Sequence, residues 1–381
     1  METLPPEILH AIFTLVCTDG GRTGCTLSTV SRYIRAAALP IMLRTVVARG
    51  VRQMQALATL LEKRVPGNRM VRYLFLTDVR RSLQPALPPG LSLLNATGGY
   101  DSTMAMGRGI DEHEREKSEA FEFKRTAAIQ LILALTAPTL TSLSLVIKQC
   151  QYTAVLLPVS LPGLTELTTI MHIRDPTLAV LSLESLPHLP RLRRWNINMH
   201  NLGVASAYLA RRISRIAPRL THLRFCSVPN PSQAPHQLRD WALEAALGVL
   251  WTPQDLMDLA IVQAAMGLGA VGDGSATGGL DLTVKLPTGL RDVYIRPMRG
   301  RDAYAGYMRL VYQESVHRVH IEYVPEGNAY LEEDWSWEAR EAERECLERS
   351  VGRRGCWVHP RLTYSKNIKG VAGRRSLEGA A

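Results

Sequence analysis

"APTLTSLSL", residues 137–145, returns three times with small changes: "LPGLTELTT" at 161–169, "LPRLRRWNI" at 189–197 and "APRLTHLRF" at 217–225. Each copy carries a proline in its lead-in and then apolar residues in the order L-x-x-L-x-L, with Thr169 in the third place of the second copy. The starts at Leu140, Leu164, Leu192 and Leu220 are 24, 28 and 28 residues apart. That period has room for one strand and one return helix. "TLAVLSLESL" (177–186) and "VASAYLARRISRI" (204–216) supply helical spacing between the strands. Further copies begin at Val71 (with Leu74, Leu76), Leu290 (with Val293, Ile295) and Val316 (with Val319, Ile321). A unit of this kind cannot bury its apolar face alone. Successive units are therefore expected to stack into one parallel sheet with helices outside.

Composition sets the outer limits. An apolar fraction of 46% over 381 residues suits a chain that buries a core along most of its length. No apolar run approaches the ~18 residues of a membrane-crossing helix. The cysteines at 17, 25, 150, 226, 346 and 356 form no C-x-x-C pair, which speaks against a disulfide framework or a zinc knuckle. A reducing compartment, cytoplasmic or nuclear, is expected. The net charge of +10 is unevenly spread: nine arginines and no acidic residue lie between Ser185 and Arg239, whereas Leu331–Glu348 is acidic.

The opening "METLPPEILHAIFTLV" (1–16) predicts a helix of about three turns. Thr3 is its expected N-cap, and Pro5 and Pro6 fall in the first turn, where a missing N–H costs nothing. A second helix is expected from about Thr26 to Leu39, ended by Pro40, and a third on Val51, Met54, Leu57, Leu61 and Val65. Three short helices make a poor core by themselves, so their apolar faces should dock on something else.

"LPPEILHAIFTLV" followed by "TLSTVSRYIRAAALPIMLRTV" resembles an F-box, the helical module that attaches substrate receptors to the Skp adaptor of SCF-type cullin–RING ubiquitin ligases. The likeness covers residues 4–48, about an eighth of the chain. It implies adaptor contacts at Leu4, Pro5, Ile8, Leu9, Ile12, Leu27, Val30 and Ser31. Tyr33 stands where that family often has a tryptophan, and the connector Thr18–Gly24 is unusually rich in glycine. The repeats behind it resemble a degenerate leucine-rich-repeat domain, without the asparagine that commonly follows each strand. The expected fold is α/β: a short N-terminal helical F-box-like module followed by an irregular leucine-rich-repeat-like α/β solenoid. Its divisions are the module at 1–48, a linking helix at 49–70, the repeats at 71–330 and a charged helix with a basic tail at 331–381. Insertions are expected at 82–120 and 236–280, the first of them long and mobile. The helix after Trp335 and Trp337 is expected to close the open end of the array.

In such an array the residues between the second and third apolar positions line the concave face. Here they are Ser144, Thr168, Asn196, Arg224, Tyr294 and His320. This polar, moderately basic row suits an acidic or phosphorylated peptide of a protein target. With Tyr294 its only aromatic, it suits nucleic acid less. Catalytic chemistry has little support. "GLGAVG" (267–272) spells G-x-G-x-x-G, but a helical pattern precedes it and a strand pattern follows, the reverse of a dinucleotide site. His113 and Glu114 lack helical metal spacing, and Cys346, Cys356 and His359 make half a zinc site at most. No metal, cofactor, catalytic residue or membrane association is expected. The sequence thus points to a non-enzymatic substrate receptor. The alternative is a repeat-domain interaction module whose opening helices are only an internal cap, and exposure of Pro5, Ile8 and Ile12 separates the two.

Overall fold

A computed structural model of the chain describes residues 4–79, 112–150, 157, 159–173, 186–200, 213–228, 287–297, 318–321, 335–353 and 355–357. The helices are α1 (Pro6–Val16), α2 (Arg22–Val30), α3 (Arg32–Ala38), α4 (Gly50–Glu62), α5 (Glu112–Thr136) and α6 (Trp335–Ser350). The strands are β1 (Thr45–Arg49), β2 (Tyr73–Thr77), β3 (Ser142–Cys150), β4 (Glu166–Ile173), β5 (Arg194–His200), β6 (His222–Val228), β7 (Asp292–Pro297) and β8 (Arg318–Ile321). They form one eight-stranded sheet in sequence order, with every neighbouring pair parallel. The fold is α/β.

Register carries the repeat into space. Leu74, Leu143, Leu167, Trp195, Leu223 and Val293 stand side by side across the strands. Two residues on, Leu76, Leu145, Thr169, Ile197 and Phe225 do the same. Both rows face one core. Met54, Leu57 and Leu61 of α4 and Ile129, Ile132 and Leu133 of α5 cover them, with Ile213, Ile216 and Ala217 further along. The leading leucines Leu140, Leu164, Leu192 and Leu220 are fully buried below the strands.

One departure from the pattern and one recurrence within it have local causes. Thr169 replaces a leucine because its hydroxyl accepts the indole N–H of Trp195 at 3.1 Å, giving a buried tryptophan the partner it needs. The threonine that follows three of the four leading leucines, Leu140, Leu164 and Leu220, also recurs for a reason. Thr141 Oγ1 donates to the Arg72 carbonyl, Thr165 Oγ1 to the Thr141 carbonyl and Thr221 Oγ1 to the Arg193 carbonyl, at 2.9–3.0 Å. Each of these three units is thereby tied to the backbone of the one before it.

Several boundaries differ from the sequence expectation. The sheet begins at Thr45, inside the 1–48 segment, because Thr45–Arg49 pairs with Tyr73–Thr77. The expected second helix is two: Ser31 turns extended (φ −159°, ψ 165°) and its hydroxyl accepts the Ile34 N–H, capping α3. Residues 112–120, placed in an insertion, open the 25-residue helix α5. Their charge-rich composition hides a helix whose apolar residues gather at its C-terminal half. The remainder of the 82–120 insertion (residues 82–111) and the whole of the 236–280 insertion lie outside the described residues, as does Thr3, and α1 has Pro5 as its N-cap. Among the described residues no helix is long and apolar enough to cross a membrane.

At its outer edge β1 meets the connector between α1 and α2. The Val47 N–H donates to the Gly20 carbonyl at 3.4 Å, which covers part of an otherwise open strand edge. Gly20 has φ +77°, and a Cβ there would stand 2.8 Å from Val47 Cγ2, so glycine is required twice over.

Candidate functional site

The N-terminal helices have two apolar sides. Inward, Leu9, Phe13 and Cys17 of the first helix pack with Ala38 and Ile41, and Leu27 and Ile34 lean on them. Burial, then the nearby Asp19, pushes the Cys17 thiol up. Outward, Ile8 is 49% exposed, Ile12 41% and Leu15 77%, at the spacing of one helix face. Leu4, Val16, Val30 and Tyr33 are exposed beside them. Tyr33 donates its hydroxyl to the Leu4 carbonyl at 2.6 Å, tying the opening residues to α3. Of the residues that the resemblance singled out, Leu4, Pro5, Ile8, Ile12, Val30 and Ser31 are exposed, Leu9 is buried and Leu27 is half-buried.

The second surface is the sheet face opposite the main core. Phe75, Ser144, Thr168, Asn196, Arg224, Tyr294 and His320 are consecutive partners across β2–β8, so the register brings the expected row together. The His320 side chain lies outside the described residues. The others do not face solvent: Ser144, Thr168, Asn196, Arg224 and Tyr294 are all buried. Their cover is the chain's own C-terminal segment. Instead of closing an end of the array, α6 lies across this face. Ala339, Ala342 and Cys346 pack on Phe75, Val146 and Ile170.

Ion pairs flank that contact. Arg49 of β1 forks onto Glu343. Arg224 of β6 meets Glu345 at 2.9 Å. Arg349, on the helix, reaches Glu166 of β4 at 3.2 Å and Ser144 Oγ at 3.4 Å. Beyond α6 the chain turns through Gly352 and Gly355, both at positive φ. Trp357 then rests edge-on against Tyr294 and His222, with ring centroids 5.5 and 5.8 Å away. Ser350 Oγ donates to the Thr18 carbonyl at 3.0 Å, so the same segment also touches the N-terminal helices.

Burial dominates the titration of Cys346, whose thiol is pushed up to about 11. On the other side of the sheet, Asp78 holds Arg125 at 2.7 Å and accepts the Lys148 N–H at 2.8 Å. Burial still leaves the Asp78 carboxyl above its ordinary range. This pair ties α5 to the ends of β2 and β3.

The remaining sequence motifs assemble nothing further. "GLGAVG", His359 and the side chains of His113, Glu114 and Cys356 lie outside the described residues, and Cys346 is a core residue. Among the described residues no group of three His, Cys, Asp or Glu is arranged to hold a metal ion. From the basic stretch, Arg194 pairs with Glu166 and Arg215 is exposed. Glu343 and Glu345 escaped the sequence reading. For Glu345 a signal was present in the runs of charge, basic at 185–239 with its partner Arg224 and acidic at 331–348, whereas Glu343's partner Arg49 lies outside the basic run.

No protein-family model matches the chain, and no curated protein matches its sequence.

Proposed function

We propose that this chain is a substrate-receptor subunit of an SCF-type cullin–RING ubiquitin ligase. Residues 4–48 act as its F-box on the Skp adaptor, and the sheet acts as a leucine-rich-repeat-like solenoid that holds a protein target. The observation that carries the reading is the outward apolar face of Ile8, Ile12 and Leu15, with Leu4 and Val30 of the same module also exposed. Large apolar side chains exposed along one helix face of a small module favour a docking surface. A mere cap would turn Pro5, Ile8 and Ile12 inward. The cap reading keeps one supporting observation, since Gly20 and Thr18 touch Val47 and Ser350. Those contacts lie on the connector, leaving the Ile8–Ile12 face free, so one module serves both ends.

In this role the protein catalyses nothing and needs no cofactor. It raises the effective concentration of target lysines near the ligase's charged E2, in the cytoplasm or nucleus. Co-expression with the Skp adaptor and size-exclusion chromatography test it. The wild-type chain is expected to elute as a complex, and the Ile8→Asp, Ile12→Asp double variant as the free, folded chain. A folded wild-type chain that never shifts would favour the cap.

A further inference from the structure

The segment Trp335–Trp357 covers the residues that would otherwise receive a ligand, and its attachment differs from that of the opposite helices. On the core side the sheet is held by Met54, Leu57, Leu61, Ile129, Ile132 and Leu133. On this side the described apolar side chains that α6 packs on the sheet are Ala339, Ala342 and Cys346, with Trp357 following beyond its end. Small side chains remove less apolar area from water, and ion pairs join them in holding this stretch of the helix. The face contributes the cations Arg49 and Arg224 to the helix carboxylates Glu343 and Glu345, while at the helix's C-terminal end the polarity reverses and Arg349 meets Glu166 of the sheet. The fit is also incomplete. The hydroxyls of Thr45, Ser142 and Thr168 and the indole N–H of Trp357 are buried in or beside this contact without a hydrogen bond to any protein group. Buried polar groups left in that state weaken the closure that buries them.

We propose that this sheet face is a docking surface for an acidic amphipathic helix of a target protein, and that α6 occupies it in cis. The contact defines the ligand. Small apolar residues at i, i+3 and i+7 (Ala339, Ala342, Cys346) meet Phe75, Val146 and Ile170. Acidic residues at i+4 and i+6 (Glu343, Glu345) reach out on either flank to Arg49 and Arg224. A target helix with this spacing displaces α6, and the receptor stays closed to proteins that lack it. This deepens the target-binding half of the function proposed above and rests on it for the ligand's being a target.

The test needs no adaptor, so a failed adaptor complex does not decide it. The probe is a fluorescein-labelled peptide of residues 335–357 with both cysteines replaced by alanine, added to the full chain. Anisotropy should show the full-length Glu343→Gln, Glu345→Gln variant binding it roughly tenfold more tightly than wild type, because the competing helix is weakened. Placing the same two substitutions in the peptide should remove that gain. In unaltered protein, iodoacetamide labelling of Cys346, resolved by mass spectrometry, should accelerate as peptide is added, since the thiol is fully buried on the side of α6 that faces the sheet. A folded variant that binds no more tightly, or Cys346 labelling that ignores saturating peptide, overturns the proposal. If the variant does not fold, the labelling of wild type decides.

Discussion

Arg224 and Glu345 stand 121 residues apart in the chain and meet at 2.9 Å, each only 4% exposed. One lies on a central strand and the other on the C-terminal helix, so the pair fastens the end of the chain to the face of its sheet. Desolvating two charges offsets much of their attraction, and such a pair is better at fixing position than at adding stability. Removing one partner is another matter. Arg224→Met is expected to cost up to about 3–5 kcal/mol, limited by the free energy with which α6 is held. The Arg224→Met, Glu345→Met double variant should lose clearly less than the sum of the single losses. Urea denaturation of the four-member cycle measures the coupling, and additive losses would remove the pair from the account.

Cys346 gives the closure a pH signature. Its thiol titrates at about 11 when folded, against 9.0 in the open chain. Between those values the unfolded state has released the proton while the folded state keeps it. Stability is therefore complete below pH 9.0 and falls as the pH climbs toward 11, by roughly 3 kcal/mol over the window. Urea midpoints of wild type should drop more steeply through that range than those of Cys346→Ala. Parallel slopes would show that the thiol is not held beneath the helix.

Gly24 sits where α2 crosses the chain at Met42. A Cβ there would lie 2.7 Å from the Met42 carbonyl oxygen and 2.9 Å from its Cα, backbone atoms that cannot turn aside. Despite alanine's better helix propensity, Gly24→Ala is expected to destabilise the N-terminal helices by about 1–3 kcal/mol, the usual range for overpacking. Calorimetry should show the loss. A melting temperature at or above wild type would contradict this packing.

Thr169→Val tests the irregular repeat. The change keeps the shape and removes the acceptor of the Trp195 indole, leaving a buried N–H unpaired at a cost of about 1–3 kcal/mol. Denaturation followed by tryptophan fluorescence reads the loss. A gain in stability would mean that the hydroxyl does not serve the indole.

Much of the sheet was legible because the repeat is a register device. Once Leu143, Leu167, Trp195 and Leu223 are recognised as equivalent, side-by-side parallel pairing follows, and so does the row from Ser144 to Tyr294. The first strand was not legible. Its lead-in, Leu39-Pro40-Ile41-Met42-Leu43, has one residue more between proline and leucine than the repeats have, and Thr45–Arg49 is only five residues long, so it read as the tail of the helical module. The split at Ser31 was hidden because "LSTVSRYI" keeps apolar spacing through the break, and only the cap geometry shows it. The largest gap concerns α6. Its contact face is Ala339, Ala342 and Cys346, too slight to stand out from the surrounding charge, and its partners lie more than a hundred residues upstream. Sequence periodicity finds faces that pack through large apolar residues. It passes over one held by paired ions.

The measurement closest to the central claim is hydrogen–deuterium exchange of the full chain with and without the Skp adaptor. The amides of Pro6–Val16 and the Val30–Tyr33 turn should gain protection on adding adaptor, while strands β3 and β4 stay unchanged. Ile8→Asp, Ile12→Asp should abolish that footprint without altering exchange in the sheet. An unchanged first helix in the presence of excess adaptor, or protection confined to the sheet face, would contradict the assignment of this chain as a ligase receptor.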